Sequence, residues 1–211
     1  MCIRDSVRLG WSHGDQEFFS REELISKFSL EHIGKSAGVF DPNKLQALNA
    51  DHIQAASPEA LAVHLAPFLA ARGIEDPVPK YLEAVIETLQ TRSKTLLEMA
   101  DGAVFYFQEK IVYEAKAAQK FLKPAILEPL RLLIAQMEAQ DVFTEPSVES
   151  AFVHTMEKSG LKLGKIAQPV RVALTGKTVS PGIFEIIRVL GKEATLKRLK
   201  QAADYISGQG D

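Results

Sequence analysis

Four residues near the C-terminal end are of types that could meet nucleic acid: Arg171, Ser180, Pro181 and Ile183. A guanidinium is a planar fork of five donors that fits a base edge or a phosphate. Ser180-Pro181 has the form of a helix cap followed by a first-turn proline. Such a helix start turns free backbone N–H groups toward phosphate or base oxygens. Pro181 and Ile183 add apolar surface for the face of a base. Each has a purely structural alternative: a solvated helix arginine, a cap and first turn without a ligand, and a core isoleucine. Lys177, Arg188, Lys192, Lys197 and Arg198 are generic phosphate candidates around them. From Lys158 to Lys200 ten Lys or Arg stand against Glu185 and Glu193, a local net charge of +8 in a chain whose formal charge is −2. That distribution fits a module that grips phosphates in one place, and equally a set of solvated helix faces.

Other chemistry finds little support. His32-Ile33-Gly34-Lys35 comes close to the His-Ile-Gly-His signature with which class I tRNA synthetases meet ATP. No strand precedes it and its last residue is lysine, so a surface loop is the expectation. Gly176-Lys177-Thr178 looks like the end of a phosphate-binding P-loop. The pattern needs a glycine five residues before Gly176, where Arg171 stands, so a helix C-cap at Gly176 explains the glycine better. The five histidines (13, 32, 52, 64, 154) are scattered, without metal-ligand spacing among themselves or toward Cys2. Glu22-Glu23 falls in a first helical turn, where the helix dipole is reason enough for carboxylates. No catalytic constellation emerges, and no metal or cofactor site is expected in this chain.

The elements that must position these residues read as helices throughout. Ser20 with Glu23 is a capping box opening a helix through Phe28. Asp41-Pro42 and Ser57-Pro58 each pair a cap with a first-turn proline. Stripes at helical spacing follow: Leu61, Leu65, Phe68, Leu69; then Leu82, Val85, Ile86, Leu89; then Ile126, Leu130, Leu133, Ile134, Met137; then Val148, Ala151, Phe152, Thr155. Phe184, Ile187 and Leu190 lead to a break at Gly191, and Leu196 and Leu199 belong to a last helix. Ala103–Phe107 is the single strand candidate, with a buried helix segment as its alternative. The fold class is therefore all-α, without the βαβ rhythm of a nucleotide-binding sheet. Breaks fall at residues 73–79, 141–146 and 159–164. At 211 residues, 46% apolar and 25% charged, the chain can build a core of ordinary size. One cysteine fits a reducing, cytoplasmic compartment, and no apolar run approaches the roughly 20 residues of a membrane span. Trp11 is expected in a core.

Three blocks resemble bacterial glutamyl-tRNA synthetases in order and spacing. The first is Val7-Arg8-Leu9-Gly10-Trp11-Ser12-His13-Gly14-Asp15-Gln16-Glu17 with Phe19-Ser20-Arg21-Glu22-Glu23-Leu24. The second is Phe40-Asp41-Pro42-Asn43-Lys44-Leu45 with Leu48-Asn49. The third runs from Gln168-Pro169-Val170-Arg171-Val172-Ala173-Leu174-Thr175-Gly176 through Ser180-Pro181-Gly182-Ile183-Phe184-Glu185 to Leu190-Gly191-Lys192-Glu193. The resemblance spans about residues 7–200. Met1–Ser6 match nothing in the family and are expected to be a foreign leader or the edge of a truncated gene. The resemblance implies a stem-contact region over residues 7–66 and a helical anticodon-binding domain over 67–211. It places Arg171, Ser180, Pro181 and Ile183 at the anticodon, with Arg92, Lys94 and Lys44 as further tRNA contacts. It implies glutamate-specific tRNA as partner, a monomer, and neither DNA nor membrane. The family's catalytic Rossmann domain is missing, so ligase activity, ATP and Mg are expected only of a full-length parent. The alternative is a stand-alone helical module that binds RNA or protein.

Overall fold

The computed structural model describes residues 7, 10–34 and 40–208. Met1–Ser6 and Lys35 of the His32 motif lie outside the described residues. Ten α-helices and two short 3-10 turns form the regular structure among these residues, with two isolated bridges and no strand.

The N-terminal segment has a small core of its own. Helix α1 (Arg21–Lys27) starts at the expected capping box: Ser20 Oγ accepts from Glu23 N at 3.1 Å, and the Glu23 carboxylate accepts from Ser20 N at 2.7 Å. Its Leu24 packs with Phe19 and Trp11, whose rings meet edge to face at 5.5 Å between centroids. Trp11 is thus a core residue.

Local signals also fix the next starts. The Asp41 carboxylate caps α2 (Pro42–Ala55) by accepting from Asn43 N at 2.9 Å. Ser57 Oγ caps α3 (Pro58–Ala70), accepting from Ala60 N at 3.3 Å. Helix α3 runs unbroken through residue 66, where the division between two parts was expected, and the main core already begins with Ile53 of α2. The Gly73–Pro79 segment is the turn between α3 and α4 (Pro79–Leu89), which pack on each other and on α5 (Leu96–Phe107). The strand candidate Ala103–Phe107 is the end of α5, its Ala103, Phe105 and Tyr106 buried.

The C-terminal half consists of α6 (Ala115–Phe121), α7 (Leu127–Glu138), α8 (Glu145–Ser159), α9 (Leu163–Thr175) and α10 (Ile183–Ser207). Helix α10 bends at Gly191, whose backbone is left-handed (φ 72°), and lies against α4, α7, α8 and α9. One continuous core includes Leu65, Leu69, Val85, Ile86, Met99, Leu133, Leu174, Ile186 and Leu199. Each such side chain contributes about 1.5–3 kcal/mol by leaving water.

Some polar groups inside this core are paired across helices. Thr88 and Tyr106 hydroxyls meet at 2.9 Å, and Tyr81 Oη donates to the Tyr106 carbonyl at 2.9 Å. Burial pushes the Tyr106 and Tyr113 hydroxyls up to about 12. A phenol whose pKa is raised in the fold favours folding below its unfolded value, about 10. That stabilisation is lost as pH rises through the folded value, because the unfolded chain gives up these protons first. Denaturant titrations from pH 8 to pH 12 are expected to show stability held to about pH 10 and falling steadily between about 10 and 12. Flat stability across that window is the opposite outcome.

Candidate functional site

Helix α9 carries Arg171 one turn before its end, and Gly176 stops the helix with φ +77°. The chain then loops back, so that residues 180–181 face the arginine. Arg171 Nη1 donates to the Ser180 carbonyl at 3.1 Å, to the Pro181 carbonyl at 2.7 Å and to Ser180 Oγ. The Ser180 hydroxyl in turn donates to the Pro181 carbonyl at 3.0 Å. Arg171 is therefore a half-buried brace rather than a solvated helix arginine. Burial lowers its pKa, and the nearby Arg92 charge lowers it further.

The structure corrects the reading of Ser180-Pro181 as a helix start. Helix α10 begins at Ile183 with Gly182 as its N-cap, and the Glu185 carboxylate accepts from Gly182 N at 2.8 Å. Glu185 supplies the reciprocal half of a capping box and favours the positive end of the helix dipole. That frees Ser180 from capping, and its oxygen atoms serve Arg171 instead. Pro181 and Ile183 are buried, and Ile183 joins the main core.

The surrounding cations have separate fates. Arg198 is inside the protein: Nη1 donates to Leu174 O at 2.8 Å and Nη2 to Phe105 O and Gln108 O at 2.9 and 2.8 Å. It closes the ends of α5 and α9 against α10, so its charge does not reach solvent as a phosphate contact would. Lys192 Nζ donates to Glu138 O and Gln140 O at 2.9 and 2.6 Å, capping the C-terminal end of α7. Arg188 pairs with Glu87 of α4 at 3.7 Å, and Lys200 with Glu138 at 2.5 Å. Lys177 and Lys197 are exposed. Lys44 is exposed in the first turn of α2, while Arg92 and Lys94 are exposed on the α4–α5 turn. The Arg92 charge acts on Arg171, and Glu87 of the same helix α4 reaches Arg188 of α10.

The His32 motif ends a 3-10 turn, Leu30–His32, exposed, with His32 Nδ1 2.9 Å from Ser29 Oγ. Gly176 is a helix C-cap, as expected, and no strand leads into it. Sequence reasoning missed Gln90, whose amide bonds to three backbone carbonyls of α2 and its cap. A lone glutamine at a helix end carries no pattern that signals such long-range pairing.

Residues 60–203 match the family model of the anticodon binding domain. The chain belongs to this family. It is 56% identical over 204 residues to the glutamate–tRNA ligase of Desulfosudis oleivorans, covering 97% of this chain and 44% of that protein. The ligase of Syntrophobacter fumaroxidans is 54% identical, covering 96% and 43%. The crystal structure of a glutamate tRNA ligase from Elizabethkingia meningosepticum in complex with its amino acid shares the fold, with a TM-score of 0.86 at 24% identity over 97% of this chain and 40% of that one. The chain thus spans less than half the length of these relatives.

Proposed function

We propose that this chain is the tRNA-holding part of a glutamate–tRNA ligase and that it recognises the anticodon of the glutamate tRNA at the α9–α10 loop. The observation that carries the reading is the braced Arg171. Its contacts within the protein run through Nη1, while Nε is buried, which leaves Nη2 as the donor for a base or phosphate. A donor already fixed in place loses little entropy on binding. Ser180 and Pro181 set the position of that donor, and Ile183 anchors the loop in the core beside it. Arg92 adds positive charge near Arg171, with Lys94 and Lys177 as further phosphate contacts. Lys44 meets the tRNA from α2. Arg188 and Lys192 contribute only charge, since each already has a partner.

In this reading residues 7–66 contact the tRNA stem and the remainder reads the anticodon, with α3 shared between them. The site works in the cytoplasm as a monomer. ATP and Mg belong to the full-length ligase, where they drive attachment of glutamate to its tRNA. Among the described residues no three His, Cys, Asp or Glu side chains converge on a metal position, and no step is assigned to either cofactor here.

The test is tRNA binding at several salt concentrations. Affinity for the glutamate tRNA is expected to fall linearly on a log–log plot against salt, since each neutralised phosphate releases counterions. It is also expected to exceed affinity for other tRNAs of similar length. Equal, weak affinity for every tRNA would reject the proposal.

A further inference from the structure

The last turn of a helix leaves carbonyls without partners in that helix. At the end of α2, the carbonyls of Ile53, Gln54 and Ala56 instead accept from Gln90 Nε2, at 2.8, 3.1 and 2.7 Å. An amide nitrogen has two hydrogens, so three acceptors share them. The side chain closes α2 from another helix. A second bond runs the opposite way: Asn49 Nδ2, on α2, donates to the Lys94 carbonyl at 2.5 Å. Gln90 and Lys94 are the two ends of the α4–α5 turn, and Arg92 is its midpoint. The turn is also closed from within, by Ser93 Oγ donating to Leu89 O at 3.0 Å and by the Glu98 carboxylate accepting from Lys94 N at 2.8 Å. One helical turn earlier, Glu87 ties α4 to Arg188 of α10, the helix that follows the Arg171 loop. Arg92 therefore stands on a turn hydrogen-bonded to α2, with an exposed ion pair to α10 nearby.

We infer that Gln90 and Asn49 are positioning residues for RNA binding: they clamp the α4–α5 turn to α2 and so hold Arg92 in register with Arg171. The inference rests on the tRNA-binding reading above. Neither clamp residue touches RNA; both act through Arg92. A long cation on a loose turn has to be ordered when RNA binds, whereas one on a fixed turn is ordered beforehand. The clamp also joins the helix that carries Lys44 to the turn that carries Arg92.

A double-mutant cycle tests this on the full 211-residue chain. Asn49→Ala and Gln90→Ala, singly and together, are measured with Arg92 present and with Arg92→Ala. The readout is affinity for a glutamate-tRNA transcript, with thermal unfolding followed in parallel. Losing both clamp residues is expected to weaken binding roughly threefold to tenfold when Arg92 is present, and less than about twofold when it is absent, because coupled residues are non-additive. An equal loss in both backgrounds would reveal a merely structural role and overturn the inference. So would no loss in either, or an Arg92→Ala chain that binds like wild type. If Gln90→Ala does not fold, Asn49→Ala alone decides, since it removes one bond from a half-buried position. A wild-type chain without salt-sensitive tRNA affinity would instead reject the parent reading, and that outcome is visible before any variant is made.

Discussion

Gly176→Ala is expected to lower the unfolding temperature by roughly 10 °C, a loss of about 4 kcal/mol in a chain of this length. Two costs combine. Gly176 has φ +77°, where an L side chain is disfavoured, and an added Cβ would lie 2.3 Å from the Val112 carbonyl oxygen. That neighbour is backbone, held in turn by the bond from Glu114 N to Gly176 O at 2.9 Å, so it cannot swing aside as a flexible side chain would. Gly160 supplies the control. It caps α8 with φ +69°, but a Cβ added there would meet no atom within 4 Å. Gly160→Ala should therefore cost only the conformational part, about 1–2 kcal/mol. Paired thermal melts check the difference. Equal losses would mean that the loop before α6 yields freely, and that Gly176 is an ordinary cap.

Arg171→Ala is expected to weaken binding of the glutamate tRNA by about tenfold or more, the value of one good guanidinium–base contact. It should also loosen residues 180–181, which lose three acceptor contacts to one nitrogen. Arg171→Lys is not expected to rescue it. A lysine ammonium is a point charge without a second edge, so it can brace the loop or face RNA but not both. Ser180→Ala removes one acceptor and leaves both carbonyls, so its effect should be smaller. Equilibrium binding of the three variants to one tRNA transcript provides the comparison. Wild-type affinity in Arg171→Ala would leave the loop as scaffold only.

The parts of this molecule legible in its sequence are those with local causes. Ser20 with Glu23, Asp41-Pro42 and Ser57-Pro58 each cap a helix with atoms no more than three residues apart, and each helix starts where those residues place it. The stripes of α4 and α8 are buried as their spacing requires, as are Leu61, Leu65 and Leu69 of α3 and Leu130, Leu133, Ile134 and Met137 of α7. The features that sequence hides involve partners far along the chain. Ser180 has the form of a cap because serine before proline usually is one. Its actual partner is Arg171, nine residues back, while Glu185 serves the helix start. Arg198 resembles any other cation in a basic tract, yet its acceptors sit 24 to 93 residues away. Lys192 caps a helix that ends 54 residues earlier. Charge counting along a chain cannot separate a cation that neutralises carbonyl ends inside the fold from one that faces a phosphate. The candidate site itself is legible through its resemblance to a family. The brace that organises it is visible only in three dimensions.

The most direct test of anticodon reading exchanges the anticodon and nothing else. Two glutamate-tRNA transcripts, one with its own anticodon and one with all three bases replaced, are titrated against the wild-type chain at one salt concentration. Phosphate contacts are the same for both, so only base reading separates them. Replacement is expected to weaken binding by about tenfold or more, and Arg171→Ala to remove most of that difference. Equal affinity of the wild-type chain for the two transcripts would contradict anticodon recognition at the α9–α10 loop.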